Sequence, residues 1–331
     1  MGTFIIAEAG VNHNGSAQIA KDLCYAAREA GADAVKFQTW ITENIITRDV
    51  GKAAYQIENT GVNESQYDML KSLELSFGAY REIKDYCDSI GIMFMSTADD
   101  EESLDFLVGL GVQMLKVGSG EIGNIPYLRK IGSKKLPVIL STGMSTLGQV
   151  DMSIEALREG GASDISLLHC TTSYPCPVEN VNLRAMDTLA SAFGLPVGYS
   201  DHTMGVEVAV AAVARGARII EKHFTLNKGM EGPDHIASLE PDELKKMVEM
   251  IRSVELSLGS GEKRPTCNEK EISQVVLKRI VARKQIAQGE AFCEQNITTK
   301  RSNSGMFANC WDLVIGRTAK QDYYPDEGIE L

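Results

Sequence analysis

The chain alternates short apolar runs with longer segments in which apolar residues recur at helical spacing. Short apolar runs rich in β-branched residues favour strands, whereas an apolar residue every three or four positions favours an amphipathic helix. The predicted strands are Phe4–Ala7, Ala34–Phe37, Ile92–Ser96, Met114–Val117, Val138–Ser141, Ile165–His169, Val197–Tyr199 and Ile219–His223. The predicted helices between them are Ala17–Ala30, Phe77–Ile90, Glu102–Leu110, Gln149–Glu159, Leu183–Phe193 and Val206–Arg215.

Strands that alternate with helices indicate βαβ units and a parallel sheet. Eight such units within about 225 residues fit a closed (β/α)8 TIM barrel better than an open sheet. A further helix is predicted at Pro241–Leu258, and the polar stretch Ser260–Glu269 that follows is typical of a linker. We therefore predict an α/β protein with a barrel at residues 1–265, a linker at 266–279 and a small C-terminal domain at 280–331.

The overall charge narrows the classes of partner. The chain has 331 residues, of which 33 are Lys or Arg and 45 are Asp or Glu, for a net charge of −12. Such a field repels nucleic acid and anionic membranes, so neither is expected as a partner. No apolar run is long enough for a membrane span. Seven cysteines without a CxxC pair predict a reduced, cytoplasmic protein.

Polar residues follow every predicted strand, where a TIM barrel carries its catalytic groups. All five histidines fall at these strand ends or in the loop just beyond. His202 and His223 end neighbouring strands, so their imidazoles can converge on one point. Two neutral imidazoles with oxygen ligands suit Mn²⁺, Co²⁺ or Zn²⁺. The spacing alone supports a metal site and a purely structural role for the two histidines about equally.

Lys36 and Lys116 end strands that are otherwise apolar. A buried lysine is costly unless it meets an anion, and Thr97, Ser119 and Ser141 supply hydroxyl donors nearby. This pattern favours a phosphate or carboxylate pocket, and a Schiff-base lysine is the alternative. The segment 118–123 fits GxGxxG, but it follows the fourth strand without the acidic residue that a dinucleotide site requires.

Several motifs, taken in order, resemble the sialic acid synthase family, which includes the legionaminic acid synthases and condenses phosphoenolpyruvate with N-acylated sugars. The resemblance covers essentially the whole chain. The matching barrel segments are 6–15 (IAEAGVNHNG), 35–38 (VKFQ), 115–121 (LKVGSGE), 140–144 (LSTGM), 169–175 (HCTTSYP), 198–202 (GYSDH), 221–225 (EKHFT) and 232–241 (GPDHIASLEP).

The tail resembles the antifreeze-like (SAF) domain of that family, with Lys300-Arg301 and 311–316 (WDLVIG) as markers. The resemblance implies a domain-swapped homodimer in which Arg301 reaches the barrel mouth of the partner subunit. Ser302-Asn303-Ser304-Gly305 replaces the usual Pro-Gly-x-Gly turn, and Asn tolerates the left-handed conformation that such a turn needs. Because the tail has few apolar residues, we expect it to lack an independent core.

The resemblance also implies roles for individual residues. Catalytic roles fall to Glu8, Glu121, His202 and His223, and a divalent metal, Mn²⁺ with Co²⁺ or Mg²⁺ as alternatives, is held by His202 and His223. The phosphoenolpyruvate ligands are Lys36, Thr97, Lys116, Ser119 and Ser141. The sugar ligands are Gln38, Thr172, Tyr174, Asp234 and Arg301. Phosphate is released by C–O cleavage after the methylene carbon of phosphoenolpyruvate has attacked the sugar aldehyde and water has trapped the cationic enol carbon.

The sequence leaves three N-acyl hexosamines as possible sugar substrates. N-acetylmannosamine, which yields N-acetylneuraminate, is slightly favoured as the commoner substrate. The alternative is 2,4-diacetamido-2,4,6-trideoxymannose, which yields N,N'-diacetyllegionaminate. Thr171-Thr172 is closer to the legionaminate branch, whereas the segment 54–61 (AYQIENTG) resembles members of both. A 6-phosphate sugar is a weaker third option, and a Schiff-base aldolase is a distant one.

Overall fold

The computed structural model describes residues 2–52 and 65–331, so the segment 54–61 lies outside the described residues. Within these ranges, eight parallel strands close into one barrel in chain order, and β1 pairs with β8. The predicted TIM barrel is therefore confirmed. The strands are β1 (Phe4–Gly10), β2 (Ala34–Thr39), β3 (Met93–Ala98), β4 (Leu115–Val117), β5 (Val138–Ser141), β6 (Ile165–His169), β7 (Val197–Asp201) and β8 (Ile219–His223).

Helices cover the outside of the barrel. Those that the sequence predicts are α1 (Ala17–Glu29), α4 (Phe77–Ile90), α5 (Glu101–Leu110), α7 (Leu147–Gly160), α8 (Ala185–Phe193), α9 (Glu207–Ala214) and α10 (Pro241–Leu258). The short helices α2 (Thr42–Ile45), α3 (Gln66–Leu73) and α6 (Ile125–Ser133) are additional to the prediction. Pro126 stands in the first turn of α6, where a helix tolerates proline because the N–H it lacks would be unpaired there.

Alternation along the strands separates two apolar cores. Residues on one face, such as Ile5, Val35 and Leu140, pack against the helices. Residues on the other face fill the barrel interior, and these are Ile6, Ala34, Met95, Ile139, Leu168 and Ile219. Successive strand side chains point to opposite faces, so the residues two positions further on also face the barrel axis. These later positions carry the polar side chains of the candidate site.

A buried ion pair joins β7 to β8 on the helix side of the barrel wall. Lys222 Nζ lies 2.8 Å from Asp201 Oδ2, and both side chains are fully buried. Asp201 Oδ1 accepts hydrogen bonds from the backbone N and hydroxyl of Thr203, whose carbonyl accepts from Lys222 Nζ. Loss of either partner would leave a buried charge unpaired, so this pair fixes the short loop that carries His202.

Residues 260–331 form a second compact unit, and the two units divide between Gly259 and Ser260. Helix α11 (Cys267–Val276) lies inside the predicted linker range of 266–279, and Thr266 and Glu269 cap its start reciprocally. Strands β9 (Arg279–Ala282) and β10 (Ile297–Lys300) then pair antiparallel, and α12 (Trp311–Val314) follows. In the described ranges no helix is both long and apolar enough to cross a membrane.

The expectation that the tail lacks its own core is wrong. Its buried residues pack together, and they include Ile280, Ala282, Ile286, Phe292, Ile297, Val314, Ala319, Tyr323 and Ile329. They are scattered singly along the chain, so no periodic run marks them. Several isolated β-bridges bring them together.

The turn after Arg301 also differs from the expectation. Its left-handed residue is Gly305, at φ +95°, and Asn303 does not take that conformation. A Cβ on Gly305 would lie 2.6 Å from the carbonyl oxygen of Ile280, so both the backbone angle and the space at this position require glycine.

Candidate active site

The polar inward-facing residues surround a cavity of about 190 Å³ at the carboxyl ends of the strands. The structure brings most of the predicted site residues to this one cavity. Those that line it are Glu8, Lys36, Gln38, Thr97, Lys116, Ser119, Ser141, Thr172, Tyr174, His202 and His223. Three predicted residues, Glu121, Asp234 and Arg301, are not among the residues that line it.

The floor of the cavity is a cluster of two lysines and two carboxylates, all of them buried. Lys36 Nζ lies 2.7 Å from Glu8 Oε2 and 3.9 Å from Glu221 Oε2. Lys116 Nζ lies 3.4 Å from Glu221 Oε1. Glu221 therefore stands between both lysines, and the pairing accounts for how two cations are tolerated inside the barrel.

Hydroxyl and amide groups complete this floor. Lys36 Nζ donates to Thr97 Oγ1 at 3.2 Å, and Lys116 Nζ donates to Ser141 Oγ at 2.8 Å. Ser200 Oγ donates to Glu221 Oε1 at 3.1 Å, and Gln38 Nε2 donates to Glu8 Oε1 at 3.0 Å. Cations and hydroxyl donors so arranged can hold a phosphate or carboxylate group.

The charges of the cluster follow from burial and pairing together. Burial opposes the charge of Lys36, but Glu221 and Glu8 outweigh it and raise its pKa. Burial likewise opposes the charge of Glu221, but Lys116 and Lys36 prevail and lower its pKa. Burial is the stronger influence on Glu8, whose pKa is raised despite Lys36. Glu8 is therefore the carboxyl of the pair that takes up a proton more readily.

Ser119 is held in place from two sides. The backbone N–H of Gly143 donates to Ser119 Oγ at 2.9 Å, and Cys170 Sγ lies 3.2 Å from the same oxygen. A Cβ on Gly143 would lie 2.4 Å from Thr172 Oγ1 and 2.9 Å from Ser119 Oγ. The loop after β5 can approach these hydroxyls this closely only because residue 143 has no side chain.

His202 and His223 come together as the sequence predicts, with ring centroids 5.5 Å apart. His202 Nδ1 donates to the carbonyl oxygen of Thr171 at 2.7 Å, which leaves its Nε2 with a free electron pair. Buried His223 Nδ1 has no hydrogen-bond partner within the described residues. Burial lowers the pKa of both imidazoles, so both are neutral near pH 7, which is the form that binds metals.

A metal at this pair would need ligands beyond the protein's histidines. Among residues 2–52 and 65–331, no three His, Cys, Asp or Glu side chains are grouped as a metal site. Ions such as Mn²⁺ and Mg²⁺ accept oxygen ligands from water or substrate. The two neutral imidazoles therefore fit a cation that keeps open positions.

The other three histidines do not face the cavity, although the sequence places them at strand ends. His13 is fully buried, and its Nδ1 accepts from the backbone N of Gly15. His169 Nε2 donates to the carbonyl oxygen of Val181. His235 bridges Thr225 and Asn14. Their contacts are with loops, because strand alternation turns His169 outward and the loops carry His13 and His235 away.

The predicted residues outside the cavity lining have distinct environments. Burial raises the pKa of Glu121, whose Oε2 accepts from Asn124 at 2.6 Å. Burial, with a smaller effect of Glu8, raises the pKa of Asp234 to about 7. Arg301 belongs to the second unit; it is exposed, and its side chain has no partner in the described part of the chain.

The site residues assigned from the sequence do not include four residues that line the cavity, namely Asp99, Cys170, Ser200 and Glu221. A signal was available for each, because they lie two positions apart from predicted site residues or core residues on the same strand face. Glu221 precedes His223 by two, and Asp99 follows Thr97 by two. Period-two alternation from any known inward residue would have identified them.

Known proteins give an independent test of the predicted resemblance. The chain is 49% identical, over 96% of its length and 90% of the relative's, to an N,N'-diacetyllegionaminic acid synthase of Legionella pneumophila. It is 37% identical, over 90% of its length and 82% of the relative's, to the human N-acetylneuraminate-9-phosphate synthase.

Among solved structures, it is similar to the N-acetylneuraminic acid synthetase of Leptospira borgpetersenii. The TM-score is 0.73 at 34% identity, over 82% of this chain and 90% of the other.

Family profiles agree with the two units of the fold. Residues 23–263 match the NeuB family, and residues 279–330 match the SAF domain. The first match covers most of the barrel, and the second begins at β9. The resemblance to the sialic acid synthases is thereby confirmed: the chain belongs to the NeuB family and carries a C-terminal SAF domain.

Proposed function

We propose that the protein condenses phosphoenolpyruvate with the open-chain form of an N-acylated hexosamine. In this reaction the methylene carbon of phosphoenolpyruvate attacks the sugar aldehyde, water adds to the enol carbon that has become cationic, and the C–O bond from this carbon to the phosphate oxygen breaks. The products are a nine-carbon 2-keto acid and inorganic phosphate. The observation that carries the proposal is that two buried lysines with hydroxyl partners lie in the same cavity as two neutral histidines.

In this proposal the cavity floor binds phosphoenolpyruvate. Lys36 and Lys116 supply the positive charge, and Thr97, Ser119 and Ser141 supply hydroxyl donors for its phosphate and carboxylate. These donors are fixed before substrate arrives, which favours electrostatic stabilisation of the charge that develops during reaction. Both lysines pair with carboxylates, so an ion-pairing role is supported over that of a Schiff-base nucleophile.

We assign the proton transfers to two carboxyl groups, Glu8 in the cavity lining and Glu121 outside it. Glu8, with its raised pKa, gives a proton to the aldehyde oxygen as the carbon–carbon bond forms. Glu121, whose pKa burial also raises, takes a proton from the attacking water. His202 and His223 would hold a divalent cation, Mn²⁺ before Co²⁺ or Mg²⁺, which when bound supplies Lewis-acid polarisation of a substrate oxygen. Gln38, Thr172, Tyr174, Asp234 and Arg301 bind the sugar.

The sugar is best assigned to the legionaminate branch. The 49% identical relative is named as an N,N'-diacetyllegionaminic acid synthase, and its similarity extends over nearly the whole chain. The N-acetylneuraminate-9-phosphate synthase is more distant. We therefore place 2,4-diacetamido-2,4,6-trideoxymannose ahead of N-acetylmannosamine, the substrate that the sequence slightly favours.

The seven cysteines are all free thiols, which supports a reducing, cytoplasmic location.

The reaction is tested by incubating the Mn²⁺-loaded enzyme with phosphoenolpyruvate labelled with ¹⁸O in the C–O–P bridge. We expect phosphate release only with an N-acyl sugar, label in the phosphate, and a nine-carbon 2-keto acid by mass spectrometry. Parallel reactions with N-acetylmannosamine, its 6-phosphate and the 2,4-diacetamido sugar rank the substrates by kcat/KM. Phosphate release without sugar, or an adduct on Lys36 or Lys116 trapped by borohydride, would refute the proposal.

The close approach of Gly143 to Ser119 gives a prediction about phosphoenolpyruvate. Gly143→Ala should displace Ser119 and Thr172, because the new Cβ has no room. We expect about a tenfold rise in the Kd for phosphoenolpyruvate, the loss of roughly one charge-assisted hydrogen bond, measured by calorimetry. Gly148→Ala is the control, since a Cβ there meets nothing within 4 Å. Equal affinities in the two variants would contradict the placement of Ser119.

The histidine pair predicts metal binding that can be measured without turnover. His223→Ala removes one of two protein ligands, so we expect Mn²⁺ affinity to fall at least about tenfold, as expected when a ligand or its support is lost. Titration followed by electron paramagnetic resonance measures free Mn²⁺ directly. His169→Ala is the matched control, because His169 binds a loop carbonyl and not the cavity. Unchanged Mn²⁺ affinity in His223→Ala would exclude this site.

We also propose a homodimer with two-fold symmetry in which Arg301 of each chain completes the other chain's site. Its exposed guanidinium, without a side-chain partner in the described residues, supports a role toward a ligand. Mixing Arg301→Ala with His223→Ala protein should restore activity, because one site of each heterodimer then has both wild-type residues. If activity stays absent after subunit exchange is verified by mass, the tail does not act across the dimer.

A further inference from the structure

Asp99 is a carboxyl at the mouth of the cavity that the proposed reaction leaves unused. It follows Thr97 by two positions, directly after β3 ends at Ala98, and it lines the cavity one level above the lysine floor. It is partly buried, and its side chain makes no hydrogen bond within the described residues. A cavity-lining carboxyl without a hydrogen bond to any described residue is a candidate ligand group, because burial without hydrogen bonds is costly and the charge of Lys36 offsets only part of that cost.

The neighbouring aspartate shows that this lack of partners is not general to the loop. Asp100 Oδ1 accepts from the backbone N of Ser103 at 3.0 Å, so it caps α5. Its Oδ2 accepts from the Ser103 hydroxyl and from the backbone N of Ile41. These hydrogen bonds give the Asp100 side chain a structural role. The Asp99 side chain makes no comparable hydrogen bond to a described residue.

Asp99 also lies where two cavities meet. It lines the reaction cavity and an adjoining cavity of about 620 Å³. The second cavity is rich in carboxylate and amide groups, contributed by Glu43, Asn44, Asp100, Glu101, Glu102 and Asn124. Such a lining accepts hydrogen bonds from hydroxyl and N–H groups and repels anions. It suits the neutral body of a sugar and opposes a phosphorylated one.

The barrel geometry sets the direction of the sugar. Strands β3 and β7 are four apart in the ring of eight, so Asp99 and His202 stand on opposite sides of the mouth. A sugar with its aldehyde at the histidines would extend its later carbons toward β3. Phosphoenolpyruvate, held by the lysines one level lower, would not need Asp99.

We propose that Asp99 is a specificity residue for the acceptor sugar. Its carboxyl binds a hydroxyl or amide N–H beyond the aldehyde carbon and, with the acidic rim, disfavours an acceptor that carries a phosphate. This inference rests on the proposed condensation and concerns which acceptor the same site takes. Burial and then Glu121 raise the pKa of Asp99 to about 7, so near neutral pH the group both donates and accepts hydrogen bonds.

The test compares Asp99→Ala with Asp99→Asn in the Mn²⁺-loaded full-length enzyme. Asp99→Ala should raise the KM for the neutral sugar about five- to tenfold, as expected for one lost hydrogen bond. Asp99→Asn keeps a donor and an acceptor, so its KM should stay closer to that of the wild type. The Kd for phosphoenolpyruvate, measured by calorimetry, should change less than twofold in both variants and so report intact folding.

A second readout separates charge from hydrogen bonding. At pH 8, above the pKa of about 7, Asp99 is mainly charged. We therefore expect Asp99→Asn at this pH to raise kcat/KM for N-acetylmannosamine 6-phosphate relative to N-acetylmannosamine by at least about threefold, because one repulsive charge is removed. Asp151→Asn is the matched control: it removes an acidic charge from the exposed face of α7 and lines neither cavity, so its ratio should stay within twofold.

The inference is overturned if Asp99→Ala leaves the neutral-sugar KM within twofold of the wild type, or if Asp99→Asn leaves the sugar ratio unchanged. It is also overturned if the variants act mainly on the Kd for phosphoenolpyruvate, which would place Asp99 with Lys36. Failure of the proposed function has a different signature, since the wild-type enzyme would then release no phosphate with any of the sugars.

Discussion

The placement of two lysines inside a closed barrel is the constraint on which the site depends. Strands β2 and β4 each carry one of these lysines. A buried ammonium group without a partner would destabilise the fold at that depth. Glu221 on β8 faces both, while Glu8 on β1 faces Lys36. The pairing makes the floor nearly neutral without ligand, yet it leaves cations and hydroxyls ready for an anion. A substrate anion would compete with these carboxylates for the two ammonium groups. The carboxylates therefore keep the lysines charged and buried when no substrate is bound.

The chemical type of the inward-facing side chains changes with their position along the strands. Apolar residues such as Met95 and Ile139 close the lower barrel. Two residues further along the strands stand the paired charges, on β1, β2, β4 and β8, and hydroxyl groups such as those of Thr97 and Ser141. Gln38, Asp99, His202 and His223 stand one further step toward the mouth. Because strand side chains alternate strictly, each level is separated from the next by two residues of sequence. The same alternation turns Asp201 and Lys222 outward, where their pairing fixes the loop beside His202.

This regularity explains what the sequence could and could not predict. Strands and most helices followed from periodicity, and Lys36, Lys116, His202 and His223 followed from polar residues at strand ends. Glu221 received no role from the sequence, because alternation from His223 shows only that it faces the barrel axis, and the two lysines that it pairs with lie on other strands. The core of residues 280–331 was missed for a related reason. Scattered residues such as Phe292 and Tyr323 meet through tertiary pairing, which no local pattern records.

The mouth of the barrel carries different chemical groups on its different sides, although the eight strands around it are arranged in a regular ring. Neutral imidazoles occupy the β7–β8 side, the carboxyl of Asp99 occupies the β3 side, and the cations lie below both. A ligand that satisfies all three must combine an anionic group, an oxygen atom that faces the histidines and a neutral end rich in hydrogen-bond donors. Neither phosphoenolpyruvate nor a hexosamine has all three features alone. Their condensation product does, and differential binding of the state in which the two are joined is what accelerates such a reaction.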